Sequence, residues 1–154
     1  MKTNKGLLLT IATAGILLAA ACKDNKQQQA EQLLEQAEQQ FSAKDYPSAL
    51  RLIDSLRNVY PNAIDTRRKA LKLYQDIELK RAQEELLVAD SLLQEVQHDL
   101  NYQQTKAEKD KAALRATPEQ LTQLTRTRMR RDSLRTQCET LGAKIRYIRK
   151  KQKE

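Results

Sequence analysis

The chain has 154 residues, a formal net charge of +8, 31% charged side chains, 4% aromatics and no Trp. Three Gly and three Pro are too few for the turns of a β fold, and Gly6 and Gly15 both fall in the opening segment, so only Gly142 serves the body of the chain. A large share of Ala, Leu, Gln, Glu, Lys and Arg argues against a doubly wound α/β domain or a compact enzyme pocket and predicts an elongated all-α protein.

Lys2 and Lys5 precede an uncharged stretch from Gly6 to Ala21 that is short for a bilayer span and ends in small side chains. Residues 1–21 therefore read as a signal peptide. Their end, Leu18, Ala19, Ala20 and Ala21 followed by Cys22, resembles the lipobox of bacterial lipoproteins. That resemblance implies that Cys22 is the lipid-attachment residue, first in the mature chain, carrying a diacylglycerol thioether and an amide-linked acyl chain. One chain holds a protein only marginally, at about 0.8 kcal/mol per buried methylene, whereas two or three anchor it stably. The alternative is an ordinary secretory leader with Cys22 as a bystander. Lys23 stands where enterobacterial lipoproteins retained at the inner membrane have Asp, so the lipobox resemblance implies the outer membrane. The periplasmic and surface faces both stay open. Residues 22–29 are polar, lack apolar periodicity and read as a flexible tether.

Spacing predicts a first helix from about residue 27 to 44, with Leu33, Leu34, Ala37 and Phe41 on one face. Asp45, Tyr46 and Pro47 break it, and a second helix carrying Ala49, Leu50, Ile53 and Leu56 stops before Pro61. Asn62 is placed to cap a third. From Leu33 to Ala63 the pattern resembles one tetratricopeptide repeat: Leu33 and Ala37 fall on first-helix positions, Tyr46, Ala49, Ile53 and Leu56 on second-helix positions, and Pro61 closes the unit. Ala70, Leu71 and Tyr74 match the first helix of a following repeat, and nothing after them matches its second. A repeat and a half cannot bury its own apolar face, so residues 30–79 read either as a helical bundle closed by the third helix or as a peptide-binding module.

The third helix is predicted to run without Pro or Gly from Ala63 to about Ala116, roughly 80 Å. Such a rod needs lateral support. Ala82, Leu86, Ala89, Leu93, Val96, Leu100, Gln103, Ala107, Asp110 and Leu114 alternate at four and three, as a coiled-coil seam does. A turn at 116–118 follows, where Thr117 and Gln120 form a capping-box pattern around Pro118, so a fourth helix starts at once and folds back. Its seam reads Leu121, Leu124, Arg128, Arg131, Leu134, Cys138, Leu141, Ile145 and Ile148. Antiparallel pairing then sets Leu100 beside Leu134, Val96 beside Cys138, Leu93 beside Leu141, Ala89 beside Ile145 and Leu86 beside Ile148, with Leu114 near Leu121 at the tip. Residues 80–154 are thus expected to form an antiparallel coiled-coil hairpin, with apolar layers at its base and polar ones farther out.

For chemistry the chain offers little. Cys138, the one thiol left if Cys22 is acylated, reads as a small buried hydrophobe, with a reactive or crosslinking thiol as the alternative. His98 has no Cys or second His near it in sequence, and acidic pairs such as Glu84 with Glu85 suit ion pairing on a helix face better than acid–base work. No catalytic residue, metal ligand or cofactor is expected beyond the covalent lipid on Cys22.

Charge says more. Basic residues bunch at Arg126, Arg128, Arg130 and Arg131 and again at Lys144, Arg146, Arg149, Lys150, Lys151 and Lys153. In an exported lipoprotein no nucleic acid is expected, and anionic lipid, acidic glycan or an acidic protein surface would fit. A solvated helix face is the other reading. Leu87, Val88 and Leu92 lie outside the strict seam and widen its apolar face, either to pack on the first helices or to meet a partner or a second copy. Lipobox, repeat-like segment and the stretch from Ile77 to Leu93 ahead of a basic coiled coil together resemble small coiled-coil lipoproteins of Bacteroidota. The resemblance implies a membrane-anchored, non-enzymatic structural or protein-interaction scaffold of the bacterial cell envelope. The alternative is a periplasmic coiled-coil holdase chaperone.

Overall fold

The computed structural model describes residues 25–154; the leader and Cys22 lie outside them. Among the described residues the chain is all α, without strands. Helix α1 occupies 25–42, α2 Tyr46–Val59, α3 Ile64–Ala112 and α4 Pro118–Lys151. Two compact units divide the chain, one ending at Ile77 and one from Glu78 to Glu154, so the boundary falls within α3, two residues before the expected 79.

In the first unit a short helical hairpin, α1 and α2, is closed by the opening turns of α3. Leu34 and Ala37 from α1, Ala49, Ile53 and Leu56 from α2, and Ala70, Leu73 and Ile77 from α3 form its core. Full burial of side chains such as Ile53 and Leu56 stabilises it by about 1.5–3 kcal/mol each. Leu34 takes the deep position and Leu33 packs at its edge. The flexible tether expected over 22–29 is corrected for its second half, since residues 25–29 are already helical. Two of its glutamines are held: Gln27 Nε2 donates to Thr66 Oγ1 at 2.8 Å, and Gln29 Oε1 accepts from the Tyr60 hydroxyl at 3.1 Å. Thr66, 1% exposed, finds its side-chain partner there.

Turns form without glycine. Lys44 has φ 62°, its N–H donates to Phe41 O, and the Asp45 N–H donates to Gln40 O, which together close α1 in a Schellman motif. Asp45 then caps α2, accepting from the Ser48 N–H at 3.1 Å and the Ser48 hydroxyl at 2.6 Å. At the start of α3, Ala63 rather than Asn62 precedes the first helical residue, and its carbonyl accepts from Arg67 N.

In the second unit α3 and α4 run antiparallel. Ala82, Ala89, Leu141 and Ile145 form one apolar cluster, joined by Leu79, Leu86 and Cys138; Leu100, Ala107 and Leu124 form another. The expected turn at 116–118 is corrected: α3 stops at Ala112, where Leu114 at φ 56° donates to Lys111 O and Arg115 N donates to Asp110 O at 2.7 Å, a second Schellman motif. Thr117 caps α4 as expected, accepting from Gln120 N. Because the turn closes earlier, the predicted pairing slides by about one helical turn. Gln120 Nε2 meets Asp110 Oδ2 at 2.8 Å, and Leu124 joins the cluster of Leu100 and Ala107, in the place opposite Ala107 where the predicted register puts Arg128, four residues on. Consequently Leu114 is 96% exposed instead of packed at the tip, and Arg128, a predicted seam residue, is exposed.

Candidate interaction surfaces

Helix α4 carries every predicted anionic-contact residue of the two basic clusters except Lys153, which lies just beyond it, but α-helical spacing scatters them. Arg126 and Arg130 are neighbours four residues apart and exposed, while Arg128 points to another side. Arg131 turns inward and is half-buried; its Nε lies 2.7 Å from Asp132 Oδ1, close enough for an ion pair yet not aligned for a hydrogen bond. Lys144 donates to Glu78 Oε2 at 2.7 Å across the hairpin. Lys151 donates to Glu154 at 2.6 Å, and that hydrogen bond holds its ammonium above the ordinary lysine value. Arg146, Arg149 and Lys150 stay exposed and, three and four residues apart, share one flank with Lys153. The structure therefore brings together a basic cluster at the end of α4 and removes Arg131, Lys144 and Lys151 from any common surface by supplying each with a carboxylate.

Cys138 packs at the edge of the cluster formed by Ala82, Ala89, Leu141 and Ile145 and is half-buried, as a small hydrophobe would be. Of the acidic pair, Glu84 lies 3.9 Å from Lys80 and Glu85 3.7 Å from Arg81. Asp90 accepts from Gln94, and His98 is exposed. Among the described residues no three His, Cys, Asp or Glu side chains come together as metal ligands would, and no helix is long and apolar enough to cross a membrane. Cys22, the predicted lipid-attachment residue, lies outside the described residues.

Two further surfaces stand out, the first not singled out by the sequence and the second the apolar face of Leu87, Val88 and Leu92 expected from it. In the first unit, α2 and α3 border a half-open groove of about 280 Å³ with Ile53 at its floor and Ile64, Leu71 and Tyr74 along one wall. Arg57, Arg67 and Arg68 line it as well. Leu71 and Tyr74, matched by spacing to a packed first repeat helix, are 53% and 38% exposed, since no following helix of this unit covers them. The spacing of Ile64, Leu71 and Tyr74 was the available signal; it marks one face of a helix but does not say whether that face is covered. In the second unit Leu87 and Val88 are 73% and 61% exposed and Leu92 is half-buried, within a run that holds Glu84, Glu85, Asp90 and Glu95 and no base. Val88 and Leu92 border a shallow depression with Glu84 and Glu85.

No family model, curated protein or solved structure matches this chain.

Proposed function

We propose that the protein is a non-enzymatic lipoprotein, tethered to the outer membrane by acyl chains on Cys22, that serves as a structural or protein-interaction scaffold in the bacterial cell envelope. The lipobox-like run from Leu18 to Cys22 carries this reading. It is supported by helical units that leave apolar and basic side chains outward, as partner-binding surfaces do. On this reading the intact mass of the membrane-fraction protein begins at Cys22 and carries diacylglycerol plus one acyl chain; a species starting at Cys22 without lipid mass overturns the anchor. Crosslinking in the native envelope with mass spectrometry identifies what the protein holds.

Exposed Tyr102 and Met129, with Leu87 and Val88, favour one second reading, a periplasmic holdase that grips unfolded clients along the hairpin. That reading requires the delipidated protein to slow aggregation of an unfolded outer-membrane client. A monomer without such an effect disposes of it.

A further inference from the structure

The groove of the first unit and the acidic face of the second are complementary in two independent respects. Along α3, Ile64, Leu71 and Tyr74 fall at i, i+7 and i+10, one stripe about 15 Å long, which is the length of a three-turn helix. The groove is walled by two helices, so a third helix can seat its side-chain ridges between theirs. Its charge is one-sided. Arg57, Arg67 and Arg68 line it, and among the described residues the ion pair found for any of them is Arg68 with Asp65 at 3.5 Å, both highly exposed. Arg67 donates to the Pro61 carbonyl, which leaves its positive charge without a carboxylate. An occupant with apolar anchors and acidic flanks fits both features.

The chain itself contains such a segment. Residues 84–95 are helical, present the exposed Leu87 and Val88, and hold Glu84, Glu85, Asp90 and Glu95; Glu84 and Glu85 pair with Lys80 and Arg81 one turn earlier only at 3.9 and 3.7 Å, solvent-exposed pairs of little worth that an arginine-lined groove can replace. Helix α1 is acidic too, through Glu31, Glu35 and Glu38, but its apolar residues are spent on the core, so it offers no anchors.

We propose that residues 84–95 of one copy dock in the α2–α3 groove of a second copy, with Leu87 and Val88 against Ile64, Leu71 and Tyr74 and the glutamates facing Arg57 and Arg68. The inference deepens the scaffold reading by naming its partner as this same chain. Because the two patches differ, the contact is heterologous, and repetition gives a ring or an open chain of copies.

The test places a photo-crosslinking amino acid at Leu71 in the full chain, in membranes that also contain a differently tagged copy. The expected product joins position 71 of one copy to residues 84–95 of the other. Arg57→Glu with Arg68→Glu lowers its yield about tenfold, as does Glu84→Lys with Glu85→Lys, and the fourfold variant with both exchanges restores it. Circular dichroism confirms that each variant remains helical. An adduct within one chain, an adduct to a different protein, or a yield indifferent to the charge exchanges overturns the proposal. Failure here leaves the acylated mass of Cys22 intact, whereas loss of that mass overturns the anchor without touching the adduct, so the two readings fail separately.

Discussion

Lys44 and Leu114 occupy left-handed backbone where glycine is the usual occupant, and each does so as the residue that ends a helix. An L side chain in that region costs about 1–2 kcal/mol, offset in part by the greater freedom glycine has in the unfolded chain. Lys44→Gly and Leu114→Gly are therefore expected to stabilise the protein by about 0.5–1 kcal/mol each, read as a higher urea midpoint. Gly142 presents the reverse case. It sits inside α4, where a Cβ would meet Arg146 Nη1 at 3.5 Å, an ordinary contact, so Gly142→Ala also stabilises by about 0.5–1 kcal/mol. A lower midpoint for any of the three would contradict the backbone assignment. Asp45 adds a pH dependence. The Ser48 hydroxyl, then its N–H, hydrogen-bond the Asp45 carboxylate and hold it below its ordinary value of 3.8. A depressed folded value means that the contribution is complete above the unfolded value and is lost as pH falls through the folded one. Asp45→Asn keeps an acceptor at the cap without titrating, so between about pH 5 and pH 2 the parent chain should lose more stability than this variant in paired thermal melts.

At the scale of helices, the two apolar clusters of the hairpin are separated along α4 by a stretch that includes Arg131. Arg131 Nε and Gln103 Oε1 are shielded from solvent without a hydrogen-bond partner among the described residues, the ion pair of Arg131 with the exposed Asp132 being misaligned for one. A shielded polar atom left unpaired costs about 1–3 kcal/mol, and an apolar side chain of similar reach does not incur that cost. Arg131→Leu is thus expected to raise stability by about 1 kcal/mol, and an unchanged or lower urea midpoint would show that the guanidinium is satisfied in solution. Both polar residues were legible as seam positions, because the four-three spacing that identifies Ala82, Ala89, Leu141 and Ile145 also runs through them. What spacing could not supply was the register. Seams that repeat every seven residues match one another after a slide of about one turn nearly as well as before it, so the turn decides, and a turn made with Leu114 instead of glycine gives no compositional warning. The same limit hid the groove of the first unit: periodicity placed Leu71 and Tyr74 on a helix face, and among the described residues no helix covers them.

For the molecule as a whole, a charge of +8, or +6 once residues 1–21 with Lys2 and Lys5 are removed, sets a general attraction for anionic surfaces, and the disposition of α4 decides which side chains can use it. Lys144 and Lys151 already face Glu78 and Glu154, and drawing either toward a lipid phosphate would first break an ion pair. Arg146, Arg149 and Lys150 have no carboxylate within ion-pair distance among the described residues and share one flank, so their charges add at a surface within a Debye length of about 8 Å at physiological salt. Each such residue near an anionic leaflet contributes about 1 kcal/mol, roughly a fivefold change in partitioning. Replacing Arg146, Arg149 and Lys150 by Gln should therefore weaken binding of the delipidated protein to phosphatidylserine-containing vesicles by about a hundredfold at low salt. Lys144→Gln with Lys151→Gln should weaken it by less, because each of these ammonium groups is already held by a carboxylate and does not reach the leaflet as a free charge. Equal losses from the two sets in a vesicle sedimentation assay would mean that net charge alone drives the contact, and binding insensitive to salt would remove electrostatics from it altogether.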